Sequence, residues 1–193
     1  MEIRYENIIL RDMIRTDIED YVRWFTVQTN WSCWDVPWEP IDTDETAERE
    51  SWSRYYSHVS TLPDDAVRWK FEIVAGGKHV GWVSSYLIDE NYEWRAADSV
   101  KDGQTVFRAV GIDVCEDAVW GSGVGTNALR AFVQYLFANG FDTLYTQTWS
   151  GNARMLRLAA RLGFTECNRR CDAREVNGTR YDALTLMLAK HPD

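Results

Sequence analysis

The feature that most constrains this chain is a glycine-rich turn between a predicted strand and a predicted helix. The alternating run Thr105–Cys115 predicts the strand, and the amphipathic run Val124–Ala138 predicts the helix. Between them Gly121, Gly123 and Gly125 stand at every second position. Glycine lets the backbone approach a bound group closely, and a helix N-terminus adds unpaired N–H groups and the positive end of a dipole. The pattern therefore predicts an α/β fold with a phosphate-binding turn.

Two common classes of phosphate-binding loop do not fit this turn. A P-loop needs Lys followed by Ser or Thr after its last glycine, but Gly125 is followed by Thr126 and Asn127. A dinucleotide-binding turn needs G-x-G-x-x-G early in a βαβ unit. Here the third glycine comes one position too soon, and the turn lies well past the middle of the chain. The pyrophosphate of a different cofactor is therefore expected.

The segment from Trp120 to Gly125 resembles the cofactor loop of the GNAT (GCN5-related) N-acetyltransferases, Arg/Gln-x-x-Gly-x-Gly/Ala. Trp120 stands where Arg or Gln is commonest, and this departure is similar to the branch that includes the ribosomal-protein N-terminal acetyltransferases. The run from Asn152 to Phe164, which closes with Leu-Gly-Phe, resembles the last helix of the family. Including a first strand from Ile8, the resemblance extends to Leu188. The alternative is an ordinary turn and an ordinary capped helix.

This resemblance implies a single domain over residues 1–193. It implies a GNAT-like acyl-CoA N-acyltransferase fold: a central mixed, mostly antiparallel sheet, splayed at the cofactor site, with helices on both faces. Acetyl-CoA would be the acyl donor, and the acetyl group would pass directly to a primary amine. Main-chain groups of the strand would contact the pantetheine arm and acetyl carbonyl, the loop would hold the pyrophosphate, and Asn152 would contact the arm. The implied cofactor-binding residues are Asp113, Val114, Cys115, Trp120, Gly121, Ser122, Gly123, Val124, Gly125, Thr126 and Asn152.

The residues that would transfer protons are harder to assign. Ala159 stands where many relatives carry a Tyr that protonates the departing thiolate, and Ala109 stands where many carry a Glu base. Asp113 is the candidate catalytic residue, because strand alternation puts it on the same face as Gly111 and Cys115. Weaker candidates, each with a structural role as the alternative, are Glu116, Glu72, Tyr145 and, as a nucleophile, Cys115. The two alanines leave open a catalytically weak acyl-CoA-binding module of the same fold, and the acyl chain length also stays open.

An aromatic loop between the first two predicted helices indicates the acceptor. The chain has 10 tryptophans, and Trp31, Trp34 and Trp38 lie beside Asp35 and Glu39 in this loop. Aromatic faces and carboxylates both attract cations. We therefore expect Trp31, Trp34, Asp35 and Trp38 to bind a small cationic amine or a peptide N-terminus. The alternative is that these tryptophans simply cover the core.

Composition excludes several other classes of function. A formal net charge of −9 argues against nucleic acid as a partner. No apolar run approaches the roughly 20 residues needed to span a membrane, and the N-terminus has no signal pattern, so a cytoplasmic location is expected. Family habit makes either a monomer or a homodimer plausible. We expect reduced thiols and no metal site, since the cysteines and histidines are scattered: Cys33, Cys115, Cys167, Cys171, His58, His79 and His191.

Local patterns also predict how several elements begin and end. Thr16 and Glu19 form a capping-box pattern at the first helix, and Thr43 is the predicted cap of the second. Trp69, Phe71 and Ile73 alternate with Lys70 and Glu72, which predicts a strand with one polar face. Two tight hairpin turns are expected at Gly76-Gly77 and Asn177-Gly178.

Overall fold

The computed structural model of the chain describes residues 1–41 and 44–190, which form an α/β fold with a mixed sheet. Its strands are β1 (Glu2–Tyr5), β2 (Ile8–Arg11), β3 (Lys70–Ala75), β4 (Lys78–Asp89), β5 (Trp94–Arg95), β6 (Val106–Val114), β7 (Thr143–Trp149), β8 (Thr165–Val176) and β9 (Thr179–Ala189). Its α-helices are α1 (Asp17–Thr26), α2 (Glu45–Val59), α3 (Val124–Ala138) and α4 (Ala153–Leu162). Short 3-10 turns cover Thr29–Cys33, Ala97–Ser99 and Asp117–Val119. Within the described ranges, no helix has the length and apolar character needed to cross a membrane.

Turn residues with positive φ end several elements where the sequence predicts them. Gly76 and Gly77 (φ 56° and 76°) join β3 to β4, and Asn177 and Gly178 (φ 50° and 76°) join β8 to β9. Two successive positive φ values match the right-handed twist of antiparallel strands. Gly163 caps α4 in the left-handed conformation. Both predicted hairpins are therefore confirmed.

The two predicted helix caps differ from the structure. Thr16 precedes α1, but its backbone is already helical and its side chain makes no capping bond, so the predicted capping box is wrong. Asp17 instead accepts the N–H of Ile14 at 2.9 Å. Asp44 caps α2 by accepting from the backbone N–H groups of Thr46 and Ala47; the predicted cap, Thr43, lies outside the described residues.

The described chain divides into two compact units, and the first comprises residues 1–83 and 113–128. Its strand order is β1-β2-β3-β4, with β1, β2 and β3 antiparallel. Helices α1 and α2 pack an aromatic core onto one face. Its buried members are Met13, Ile18, Tyr21, Val22, Trp24, Trp31, Val59, Trp82 and Cys115.

The second unit comprises residues 84–112 and the described chain from 129 onward. Its strand order is β4-β6-β7-β9-β8, with β5 beside β4. Strands β6 and β7 run parallel and are in register at Ala109 and Tyr145, whereas β9 is antiparallel to both β7 and β8. One residue further along, the Thr146 hydroxyl donates to the Val110 carbonyl at 2.8 Å. A side-chain bridge of this kind is what we expect where two strands begin to separate.

Candidate active site

The glycine turn follows β6 as predicted and is open on its outer side. Gly121 and Gly123 have φ values of 79° and 89°, which glycine adopts without strain. A Cβ atom built at either position would meet no atom within 4 Å. Space therefore exists for a bound group to approach the backbone directly.

Among the residues that the structure describes, the helix that leaves this turn begins with N–H donors that take no part in its own hydrogen-bond ladder. The Asn127 N–H bonds to the Gly123 carbonyl at 3.0 Å, which is the first bond of α3. The N–H groups of Val124, Gly125 and Thr126 therefore precede the helical hydrogen-bond ladder. Three donors at the positive end of a fifteen-residue helix, beside an open glycine turn, fit a phosphate group.

Side chains of the turn hold its shape rather than line its open face. The Trp120 indole N–H donates to the Val114 carbonyl at 2.7 Å, and its ring packs against the aromatic core. The Ser122 hydroxyl donates to the Val119 carbonyl at 2.6 Å. Trp120 therefore anchors the loop to the end of β6, which explains how Trp serves where Arg or Gln is commoner.

At the end of β6, the backbone is pressed against β4. A Cβ at Gly81 (φ 151°) would lie 2.0 Å from the Asp113 carbonyl oxygen, so this approach requires glycine. The Cys115 N–H donates to the Val80 carbonyl at 2.8 Å. This N–H is therefore not one of the free donors that the resemblance implies, and a contact of Cys115 with a cofactor would need another atom.

The Cys115 thiol is a poor candidate nucleophile. Only 1% of the residue is exposed. Burial and the nearby charges of Asp113 and Glu116 raise the pKa of the thiol, so the reactive thiolate is strongly disfavoured.

An aromatic cage that sequence reasoning missed encloses Lys70, the first residue of β3. The ammonium nitrogen lies 4.2 Å from the ring centre of Trp52, 4.5 Å from Tyr21, 4.8 Å from Trp82 and 5.0 Å from Tyr55. Tyr21 and Trp52 stack with centroids 3.6 Å apart. Aromatic faces attract a cation, most strongly when water is excluded. Lys70 of the chain itself therefore makes the cation–π contacts that we expected for an acceptor amine.

Charged groups at the same face form a coupled set with Lys70. Burial lowers the pKa of Lys70 to about 8, although the charges of Glu72 and Asp113 oppose this shift. Burial, and then the charge of Asp35, raise the pKa of Asp113 well above its ordinary value, while Lys70 and a hydrogen bond from Trp82 oppose it. Partial desolvation of its carboxyl group, and then the charge of Glu39, raise the pKa of Asp35, although the residue as a whole is exposed. The structure therefore brings Asp35 close enough for its charge to act on Asp113.

A second buried cation, His79 on β4, lies among carboxylates. Its Nδ1 is 3.1 Å from Asp20 Oδ2 and its Nε2 is 2.9 Å from Glu72 Oε2. Both nitrogens face carboxylates, so both must carry protons. Burial opposes this charge, but the hydrogen bonds to Asp20 and Glu72 outweigh it and raise the pKa of His79 to about 9.

The same cluster has the donor types of a metal site, since Asp17, Asp20 and His79 offer atoms within 4.8 Å of one another. Arg11 already binds both oxygens of Asp17, at 2.6 and 2.8 Å. The Tyr21 hydroxyl donates to Glu72 at 2.6 Å. Because Arg11 and a protonated His79 neutralise these carboxylates, the arrangement fits an ion-pair network.

The predicted acceptor residues occupy different depths. Trp31 is buried, and its indole N–H donates to the Trp24 carbonyl at 3.0 Å. Trp34 and Trp38 are partly buried, and Asp35 is exposed. Trp31 thus belongs to the core behind Trp82, and the other three are the members of the set at the surface.

The weaker catalytic candidates have structural partners. Glu116 accepts from the Trp24 indole at 2.9 Å and pairs with Arg23 at 2.7 Å. Burial disfavours its charge, but these two bonds prevail and lower the pKa of Glu116. Glu72 pairs with His79, and Tyr145 packs against Phe107 with ring centroids 5.1 Å apart.

Residues of the second unit complete the predicted set. Asn152 is buried and caps α4, because its side-chain oxygen accepts the Met155 N–H at 2.9 Å. Ala109 and Ala159, at the positions of the usual family base and acid, are both buried. The predicted capping role of Asn152 is therefore confirmed, and its contact with a cofactor stays a prediction.

Solved acetyltransferases have the same fold at low sequence identity. RimL, the ribosomal L7/L12 α-N-protein acetyltransferase in complex with coenzyme A, aligns with a TM-score of 0.71 and 13% identity, over 98% of this chain and 98% of that one. The ribosomal-protein-S5-alanine acetyltransferase from Vibrio fischeri gives 0.70 and 17%, over 98% and 96%. Mycobacterium smegmatis RimJ in complex with CoA-disulfide gives 0.67 and 19%, over 98% and 86%. Comparison with curated proteins found no match by sequence.

A family model extends these likenesses to the sequence itself. The model of the acetyltransferase (GNAT) domain matches residues 7–165 and so includes the glycine turn and the start of β8. The match crosses both compact units. The α/β fold, the mixed sheet with four helices and the turn between β6 and α3 agree with it, and the chain therefore belongs to the GNAT acetyltransferase family.

Proposed function

We propose that the chain works as one N-acetyltransferase domain that moves an acetyl group from acetyl-CoA directly to a primary amine. The observation that carries this proposal is the open glycine turn at the N-terminus of α3, where Gly121 and Gly123 leave space and three N–H groups precede the helical ladder. Two of the related structures contain coenzyme A or its disulfide. Their likeness supports the choice of an acyl-CoA over other phosphorylated ligands.

Each proposed contact uses a group described above. The N–H groups of Val124, Gly125 and Thr126 would hold the pyrophosphate, and Trp120 would keep the loop in place. Main-chain atoms of Asp113 and Val114 would contact the pantetheine arm, and on family resemblance Asn152 would do so too. Acetyl-CoA supplies the activated thioester carbon.

The acceptor is proposed to be a small cationic amine or a peptide N-terminus. The charge of Asp35 acts on Asp113, so a cation bound near them would be attracted by Asp35 and would favour the charged form of Asp113. Trp34 and Trp38 supply aromatic surface beside Asp35. The acetyltransferases of ribosomal proteins among the structural relatives favour a protein N-terminus within this class. A cytoplasmic location and a monomer or homodimer complete the proposal.

The decisive experiment measures thiol release from acetyl-CoA against polyamines, aminoglycosides, amino acids and peptides with free N-termini. Matched variants then test the site: Gly123→Ala and Gly140→Ala have φ values of 89° and 90°, and both have open surroundings. Each should lose roughly 1–2 kcal/mol of stability from left-handed strain. We expect only Gly123→Ala to weaken coenzyme A binding, by about tenfold or more, the equivalent of one close contact.

The results of these experiments distinguish an active acetyltransferase from a binding module. Thiol release with one amine class would establish the activity and name the acceptor. Coenzyme A binding without release would favour the catalytically weak binding module, which the alanines at positions 109 and 159 motivate. Equal effects of the two glycine variants on binding would argue against the turn as the cofactor site.

A further inference from the structure

Lys70 is enclosed by rings and lacks the partner that a buried ammonium normally has. Within the described part of the chain, Nζ forms no ion pair and no hydrogen bond to a carboxylate, and Glu72 and Asp113 act on it only through space. Four aromatic rings lie within 5.0 Å of this nitrogen. Lys70 nevertheless stays partly accessible to solvent. Burial of an ammonium without a bonded carboxylate lowers the pKa of a lysine, as it does in catalytic lysines.

Its place in the first unit also connects it with the predicted reaction centre. Lys70 begins β3, Trp82 lies on the neighbouring β4, and Asp113 lies near the end of β6 beside Gly81 of β4. Trp82 acts on both groups, since its ring lies 4.8 Å from the ammonium and its side chain opposes the rise in the pKa of Asp113. Asp113 in turn is one residue before Val114, whose carbonyl anchors Trp120 of the glycine turn.

The other candidates for a base are unsuitable by their contacts. Glu72 is 1% exposed and is bound by Tyr21 and His79. Glu116 is held by Arg23 and Trp24. The carboxyl of Asp113 favours its neutral form, because burial and Asp35 both disfavour its charge. A group that must accept a proton near neutral pH is therefore missing among these carboxylates.

We propose that Lys70, enclosed by aromatic rings and bonded to no carboxylate of the described chain, accepts the proton of the acceptor ammonium before acyl transfer. This inference rests on the proposed function and deepens it. The acceptor passes one proton to Nζ and becomes a neutral amine. Its nitrogen then bonds to the thioester carbon and the C–S bond breaks. The second proton goes to the thiolate, and Lys70 returns its proton to water.

This role favours one class of acceptor. Proton transfer is most efficient between groups of similar pKa. The pKa of Lys70, about 8, is close to that of an α-amino group, about 8, and well below that of a lysine side chain, about 10.4. A peptide N-terminus or amino acid is therefore the better-matched acceptor.

The pH dependence follows from every group that faces Lys70. These groups are Glu72 on its own strand, Tyr21 on α1, Trp52 and Tyr55 on α2, Trp82 on β4, and Asp113 and Cys115 at the end of β6. Since Lys70 must be uncharged to act, kcat/KM should rise as pH increases through about 8. The acceptor itself titrates in this range, so the informative quantity is the ratio of wild type to variant at each pH.

The first test compares Lys70→Arg with the matched control Lys78→Arg, an exposed lysine on the adjacent hairpin. Arginine keeps the cation in the cage but cannot accept a proton near neutral pH. We expect Lys70→Arg to lose at least about 100-fold in kcat and to lose the rise near pH 8, with Lys78→Arg unchanged. An acceptor amine that is already neutral at the assay pH should recover much of the lost rate. If the wild type is active and the kcat of Lys70→Arg lies within about threefold of it, a change of about 0.6 kcal/mol, the role of Lys70 is overturned and the proposed function is not.

The second test needs no turnover. Titration of isotope-labelled lysines by NMR, with the Lys70 signal assigned from Lys70→Arg, should place the midpoint of Lys70 at about 8, below the ordinary lysine value of about 10.4. A midpoint for Lys70 at the ordinary lysine value would overturn the inference whatever the activity. Absence of thiol release from the wild type with every amine would instead remove the proposed function, and this role with it.

Discussion

The surroundings of Lys70 and His79, two cations of the first unit, shift their pKa values in opposite directions. Lys70 is enclosed by aromatic rings and has a pKa lowered to about 8 by burial. His79 is also buried, but Asp20 and Glu72 bind its two nitrogens, and its pKa is raised to about 9 despite burial. Burial opposes both charges, so directly bonded carboxylates account for the difference.

Tyr21 belongs to both environments. Its ring lies 4.5 Å from the Lys70 ammonium, and its hydroxyl donates to Glu72, the carboxylate that binds His79. One side chain therefore contributes an apolar face to one cation and a polar atom to the network of the other. The comparison shows that the type of contact decides the protonation state of a buried cation. Bonded carboxylates keep His79 charged, whereas Lys70, which has none among the described residues, has a pKa close to neutral pH.

Removal of each cation in turn is the strongest test of this difference between Lys70 and His79. His79→Leu leaves the buried carboxylate of Glu72 without its bonded cation, and breaking a buried charge pair costs about 3–5 kcal/mol. Below pH 8, Lys70→Met removes a charge that burial disfavours, so it should not lower the free energy of unfolding. Urea unfolding with an unchanged m value measures both. If His79→Leu fails to fold, His79→Gln should give a smaller loss of the same sign, and equal losses at the two sites would contradict the comparison.

The pH dependence of stability should separate the two cations by sign. The pKa of His79 is raised from 6.5 to about 9, so its stabilisation is complete below pH 6.5 and is lost as pH rises to 9. The loss is at most about 3 kcal/mol. The pKa of Lys70 is lowered from 10.5 to about 8, so the unfolded state holds more protons in that window and stability rises with pH.

Difference curves isolate these contributions. The gap in unfolding free energy between wild type and His79→Gln should narrow from pH 6.5 to pH 9. The unfolding free energy of the wild type should increase relative to that of Lys70→Met from pH 8 to pH 10.5. If the two differences in unfolding free energy changed in the same direction with pH, the surroundings would not shift the two pKa values in opposite directions.

Sequence reasoning succeeded where the determinant is local. The turn between β6 and α3 and the hairpins at Gly76-Gly77 and Asn177-Gly178 follow from glycine conformation and from a change of hydrophobic period. It failed at Thr16, because a capping pattern does not fix the backbone angle that capping requires.

The chemistry of β3 could not be predicted from the sequence for a different reason. Alternation correctly put Lys70 and Glu72 on one face, and a polar face is ordinarily solvent-facing. Here α1 and α2 cover that face, so Glu72 is buried and Lys70 is caged. The aromatic partners come from three distant segments, and no short window of sequence contains them. The same long-range packing put Trp31 in the core.

A smaller loss of stability than that of His79→Leu is expected from Tyr21→Phe, which keeps the ring over Lys70 and removes the hydroxyl bound to Glu72. Glu72 keeps His79 as a partner, so the cost should be about 1–2 kcal/mol, that of one hydrogen bond to a buried charged group. The midpoint of Lys70 in an NMR titration should stay within about 0.5 units, a change below about 0.7 kcal/mol, because its cage is intact. A larger shift of Lys70 with little loss of stability would mean that the hydroxyl, and not the ring, is what Tyr21 contributes to the caged lysine.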